Sequence, residues 1–145
     1  MTEKVEREIR ELHDFFAGWL GGTLDATEET FDRFAVVLAP SFFIVSPAGE
    51  VTPRDLLLDA IRKAHGQRPD LEIEVRNVEI HQDEAPWILA TYEEWQQEAG
   101  GSRTGRISSV LFRHRHGRPH GLEWQHVHET WLEGARIAAR TPRRP

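Results

Sequence analysis

Apolar positions in the first third of the chain recur at spacings of three and four. Val5, Ile9, Leu12, Phe16 and Leu20 form a stripe that Phe15 and Trp19 widen, the period of an amphipathic helix. Gly21-Gly22 ends it. Asp25, three residues before Glu28, predicts a capping-box start for a second helix. Its apolar face is Phe31, Phe34, Ala35 and Leu38, and Pro40 closes it. The stretch "SFFIVSPAGEVT" reads as a short strand, a Pro-Ala-Gly turn and a return. Thr52-Pro53 then predicts a third helix, with Thr as N-cap and Pro at the first helical position. Leu56, Leu57, Ala60, Ile61 and Ala64 supply its buried face, and Gly66 is its expected C-cap.

After Pro69 the period changes to two. "LEIEVRNVEIHQ", "PWILATYEEWQQ", "GRISSVLFRHRH" and "GLEWQHVHETWL" are separated by turn signals at 83–86, 100–101 and 117–121. Four consecutive strands on short turns predict an antiparallel meander. Helices followed by such a sheet give an α+β class, and helices can cover only one sheet face. Yet the second strand opposes Trp87, Leu89 and Trp95 to Ile88, Ala90 and Tyr92, and the third opposes Ile107 and Leu111 to Val110 and Phe112. A second apolar face left in water would be a sizeable patch, so the expected partner is another copy of the chain in a twofold homodimer. One domain over 1–135 is expected, with the basic, proline-bearing end, 136–145, as a solvated tail.

Composition narrows the classes. A net charge of −6 argues against a nucleic-acid partner, which needs a basic footprint. With no cysteine, thiolate metal sites, disulfides and a cysteine nucleophile are excluded together, which suits a cytoplasmic location. The charged start "MTEKVEREIRELHDFF" predicts no signal peptide, and no apolar run approaches a membrane span. Neither a nucleophile elbow, nor a phosphate-cradling loop, nor a dinucleotide fingerprint, nor HExxH is present.

The order of these elements, with the endings "RISSVLFRHRHG" and "LEWQHVHETWL", resembles the nuclear transport factor 2-like (cystatin-like) superfamily, over roughly Ile9 to Leu132. The resemblance is closest to its polyketide-cyclase-like (SnoaL-like) branch and to the kinase association domains. It implies a cone-shaped curved antiparallel sheet wrapped around the N-terminal helices, with a pocket at the wide end and a dimer on the outer face. Superfamily activities range from isomerases, dehydratases and cyclases to oligomerisation, so fold does not settle function.

Two chemistries fit the residues. The pairs His126/His128 and His114/His116 have the spacing that puts both imidazoles of a pair on one strand face. Ordinary polar or interface histidines are the simpler account, and no metal or other cofactor is expected. The second chemistry is acid–base or anion binding in an apolar pocket. Its candidates are Tyr92, Arg106, Ser108 and Glu129, whose strand parity allows them to face inward together. Arg106 would favour a small organic acid, while an Arg106–Glu129 ion pair of purely structural value is the competing reading. His13 borders the apolar stripe of the first helix and is either a boundary residue or, by the resemblance, a pocket liner; Trp19 is pocket wall or core. On the last strand, parity assigns Trp124, His126, His128 and Thr130 to the interface and Val127, Glu129 and Trp131 to the pocket side. Trp87, Trp95 and Leu111 join the interface candidates. Two functional expectations follow: a pocket for a small acid or a polyketide-like ligand, with or without catalysis, and an assembly module with a vestigial pocket.

Overall fold

In the computed structural model, residues 2–132 are described. The elements are α1 (Thr2–Gly21), α2 (Glu28–Ala35), β1 (Leu38–Val45), β2 (Val51–Pro53), α3 (Arg54–Lys63), β3 (Glu72–Glu84), β4 (Trp87–Gln97), β5 (Thr104–His114) and β6 (Leu122–Trp131). The expected tail at 136–145 lies outside the described residues.

The stripe on α1 is buried as its spacing demands. Val5, Ile9, Leu12, Phe15 and Trp19 are all sealed against the rest of the chain. Phe15, Trp19, Phe31 and Phe34 form an aromatic layer between α1 and α2, with Trp19 and Phe31 centroids 5.0 Å apart. Each such ring contributes on the order of 2 kcal/mol through lost water contact. Gly22 (φ 83°) and Gly66 (φ 73°) let the ends of α1 and α3 meet. A Cβ on Gly22 would come within 3.1 Å of the Gly66 Cα. The close approach lets Gly66 N and Arg68 N donate to the free carbonyls of Trp19 and Leu20, satisfying the last turn of α1.

Helix boundaries depart from expectation. The N-cap of α2 is Thr27, whose Oγ1 accepts from Thr30 N at 3.1 Å, not Asp25. That helix stops at Ala35; Leu38 and Pro40 belong to β1. Thr52 pairs with Ile44 as part of β2, so Pro53 is the N-cap of α3 and makes no side-chain cap bond. Arg54 ties this junction together by donating to Leu38 O and Ala35 O. The inward face of α3 also differs from expectation: Leu58 is buried, whereas Leu56 is 63% exposed and Ala60 is exposed.

The six-stranded sheet runs in the order β2-β1-β6-β5-β4-β3, curved and unclosed. The meander β3 to β6 is antiparallel throughout, as expected. One pairing is not: β1 lies parallel to β6, with Ile44 opposite Val127. The crossover through β2, α3 and the meander makes that geometry available. Alternation in β4 and β5 sends Ile88, Ala90, Tyr92, Val110 and Phe112 inward, all buried. Trp87, Leu89 and Ile107 point outward, at 43%, 38% and 38% exposure. The β6 expectation needs one correction. A register shift opposite Leu111/Phe112 inserts Gln125 as an extra residue. Parity therefore reverses at Trp124. Trp124 is buried against Phe112 at 4.7 Å instead of lying on the outer face. His126, His128, Val127 and Glu129, beyond the bulge, keep the expected sides. Among the described residues no helix is long and apolar enough to cross a membrane.

Candidate functional site

Between α1, α3 and the inner sheet face lies a cavity of about 260 Å³. One side is apolar, formed by Phe16, Phe34, Phe42, Ile44, Leu57 and Ile61. The other carries His13, Tyr92, Glu94, Gln96, Arg106 and Glu129. This polar side is a product of strand parity. Glu94 is two residues beyond Tyr92 and sits directly across from Arg106; Ser108 sits across from both Tyr92 and Glu129.

His13 comes from α1 and completes the set. Its Nε2 lies 3.2 Å from Glu94 Oε1 and its Nδ1 lies 2.7 Å from Ile9 O. A carbonyl and a carboxylate can only accept, so an imidazolium donating from both nitrogens satisfies both neighbours. Burial acts to lower the His13 pKa, but the charge and hydrogen bond of Glu94, the Ile9 carbonyl and the Glu129 charge together raise it above its ordinary value. Burial likewise opposes ionisation of Glu94, and the charge and hydrogen bond of His13, with Arg106 and Gln96, overcome it and bring that carboxyl down to about 2. Gln96 donates to the other Glu94 oxygen at 2.6 Å and accepts from Arg68, itself paired with Glu98. Glu94 is thus a fixed anion held from two sides.

Glu129 is different. Among the described residues its single hydrogen-bond partner is Arg106, Nη1 to Oε1 at 3.2 Å. Burial raises its pKa; Arg106 opposes this, Glu94 adds to it, and the net direction is upward. Burial also holds the Tyr92 hydroxyl well above its ordinary value, so it remains a neutral donor. Two carboxyls with opposite shifts in one buried cluster are the arrangement by which sites separate a permanent charge from a titratable one. Arg106 rests on the Trp131 ring at 4.9 Å. Among the described residues its Nε is buried without a hydrogen-bond partner, a rare condition that calls for an explanation.

Of the candidate residues, His13, Tyr92, Arg106 and Glu129 meet at this cavity. Ser108 is buried between Tyr92 and Glu129 without lining the cavity, and Trp19 is core, donating Nε1 to Ile61 O at 2.7 Å. Among interface candidates, Trp87, Trp95, Leu111, His126 and His128 occupy the outer side. Trp95 covers Gly105, and His126 stacks on Phe43 at 4.1 Å. Trp124 borders the cavity instead. Among the described residues no group of three or more His, Asp or Glu side chains could hold a metal.

Three residues were missed. Glu94 and Gln96 share the parity of Tyr92, which was the available signal. Glu8 falls at helical spacing from Val5 and Leu12, a charge on an apolar stripe. It is fully buried, bound by Arg33 at 2.9 Å and Trp124 Nε1 at 2.8 Å. Burial, only partly offset by these donors, raises its pKa.

Residues 5–133 match the family described as sucrose-6-phosphate phosphohydrolase C-terminal. Sucrose-phosphatase 1 of Nicotiana tabacum is 28% identical over 131 residues, 88% of this chain. The chain spans 31% of that protein's length. An NTF-2-like protein of unknown function from Pseudomonas aeruginosa superposes with a TM-score of 0.80 at 29% identity, covering 89% of this chain and 98% of that one. The S. rosetta CaMKII hub shares the fold at a TM-score of 0.68 and 12% identity, covering 90% of this chain and 95% of the hub. On the match across nearly its whole length, this chain belongs to the sucrose-6-phosphate phosphohydrolase C-terminal family, built on a nuclear transport factor 2-like fold.

Proposed function

We propose that this domain binds a small organic acid in the cavity, its apolar body against Phe16, Phe42 and Leu57 and its carboxylate on Arg106. The observation that carries this reading is the state of Arg106. Among the described residues its side chain makes one hydrogen bond, through Nη1. The Nε is buried and unpartnered among the described residues, and Arg106 lines a mostly apolar chamber. A guanidinium is a planar fork suited to a carboxylate, and an unsatisfied edge of it in low dielectric favours an anion. The relatives' names make a sugar or sugar phosphate the competing occupant. A polyol, however, needs hydrogen-bond partners on all sides, and the α3 and β1 walls are apolar.

Thermal denaturation with benzoate, 3-phenylpropionate, their amides, sucrose and sucrose 6-phosphate tests the proposal. The acids stabilise the wild type, by about 2.7 kcal/mol at a hundredfold excess over Kd, and the amides do not. Arg106→Ala abolishes the effect. Equal stabilisation by acid and amide, or an unaffected Arg106→Ala, overturns the reading.

A second reading coexists with the first: a homodimer formed through the outer sheet face. Phe43, Trp87, Leu89 and Ile107 are each about 40% exposed there, and contiguous apolar patches of this kind mark association surfaces. Light scattering should return twice the chain mass at micromolar concentration; a monomer contradicts it.

A further inference from the structure

The pairing at the polar end of the cavity is uneven, and the unevenness has a consequence for binding. The groups facing Glu129 are His13 from α1, Tyr92 and Glu94 from β4, and Arg106 from β5; Arg68, before β3, borders the same chamber. Arg68 is taken by Glu98 and Gln96. Glu94 is taken by His13 and Gln96. Among the described residues, only the Arg106–Glu129 pair at the cavity wall has a member held by a single contact, 3.2 Å long.

We propose that Glu129 is a built-in stand-in for the ligand's carboxylate: an incoming organic anion displaces it from Arg106, and it leaves the pair as a neutral acid, so that one proton enters the cavity with each anion bound. This rests on the organic-acid reading above. The charge count forces the coupling. Empty, the cluster balances two cations, His13 and Arg106, against two anions, Glu94 and Glu129. A ligand carboxylate would make three anions against two cations in a site screened from water, where an uncompensated charge is strongly disfavoured. Glu94 cannot take the proton without losing two donors. Glu129 loses only the bond that the ligand takes over, and burial already favours its neutral form. The proton comes from solvent onto a Glu129 oxygen. The resulting O–H can donate to the ligand carboxylate, which now accepts from Arg106, so no bond other than O–H is made.

Titration calorimetry of 3-phenylpropionate, repeated in buffers of different ionisation enthalpy, reads the proton directly. Between about pH 5.5 and about pH 6.5, where the ligand stays ionised and His13 stays protonated, the wild type takes up a proton on binding and its affinity falls as pH rises, by up to about tenfold per pH unit. Glu129→Gln takes up none, and across that window its affinity is independent of pH and tighter than wild type at the alkaline end. Binding with no proton uptake by the wild type overturns the inference while leaving the organic-acid reading intact. Uptake that persists in Glu129→Gln also overturns it, and assigns the proton to His13. No binding, or binding that survives Arg106→Ala unchanged, overturns both.

Discussion

Replacing Glu94 with Gln keeps the shape of the buried His13–Glu94 pair and removes its charge. A carboxyl held at about 2 against an ordinary 4.5 corresponds to about 3 kcal/mol of folding stability at neutral pH. Glu94 is only 6% exposed, so solvent screening takes little from that figure. The raised His13 pKa describes the same interaction from the other side and is not added to it. The pH dependence follows from the two directions. Glu94 is depressed, so its contribution is present above its ordinary 4.5 and is lost as pH falls toward about 2. His13 is raised, so its contribution is present below its ordinary 6.5 and is lost as pH rises through its higher folded value. The wild-type advantage over Glu94→Gln therefore peaks between those ordinary values and shrinks on both sides. Urea unfolding followed by tryptophan fluorescence across about pH 3 to about pH 9 measures it, with a gap of about 3 kcal/mol, or about 10 °C in Tm, near pH 5.5. A difference that stays flat with pH, or never exceeds about 1 kcal/mol, refutes the ion-pair account.

Other perturbations reach other parts of the structure. Glu8→Ala removes the acceptor of the Trp124 indole and the closer of the two carboxylates on Arg33, leaving Glu11 at 3.6 Å, and should cost about 3 kcal/mol in chemical denaturation; a cost under about 1 kcal/mol would place Glu8 outside the core network. Gly105→Ala puts a methyl 2.7 Å from the Trp95 ring; about 1–3 kcal/mol of destabilisation and a change in Trp95 fluorescence are expected, and an unchanged spectrum argues that the ring does not lie over the glycine. Leu89→Glu with Ile107→Glu places charge at the centre of the outer face, so the light-scattering mass should halve while the circular dichroism spectrum is retained. An unchanged mass moves the interface elsewhere.

The meander and the inward parity of Tyr92, Ser108 and Arg106 were legible because a half-buried strand repeats every two residues. The superfamily was legible from element order, and the cavity-side positions of His13 and Glu129 followed. Three features resisted for physical reasons. Trp124 lies on the near side of a one-residue bulge, and a bulge leaves no mark on an alternating pattern. The parallel β1–β6 pairing depends on how a distant crossover closes, and local periodicity carries no information about it. On α3 the consecutive leucines Leu56, Leu57 and Leu58 fit more than one helical face, so spacing alone does not select Leu58 over Leu56 and Ala60. Glu94 was readable in "TYEEW" by the parity argument applied to Tyr92, but its partner stands on α1, 81 positions away, and sequence spacing does not show such a contact. In "EWQHVHETWL" alternation divides the strand between outer face and cavity, and the bulge at Gln125 moves only Trp124 to the core.

The most direct test of the account is a crystal structure of the protein grown with 3-phenylpropionate. The phenyl ring should lie among the apolar residues of the cavity, the carboxylate within hydrogen-bond distance of Arg106, and the Glu129 side chain should be moved off Nη1. A ligand seated elsewhere, or a carboxylate inside the cavity that makes no contact with Arg106, would contradict it.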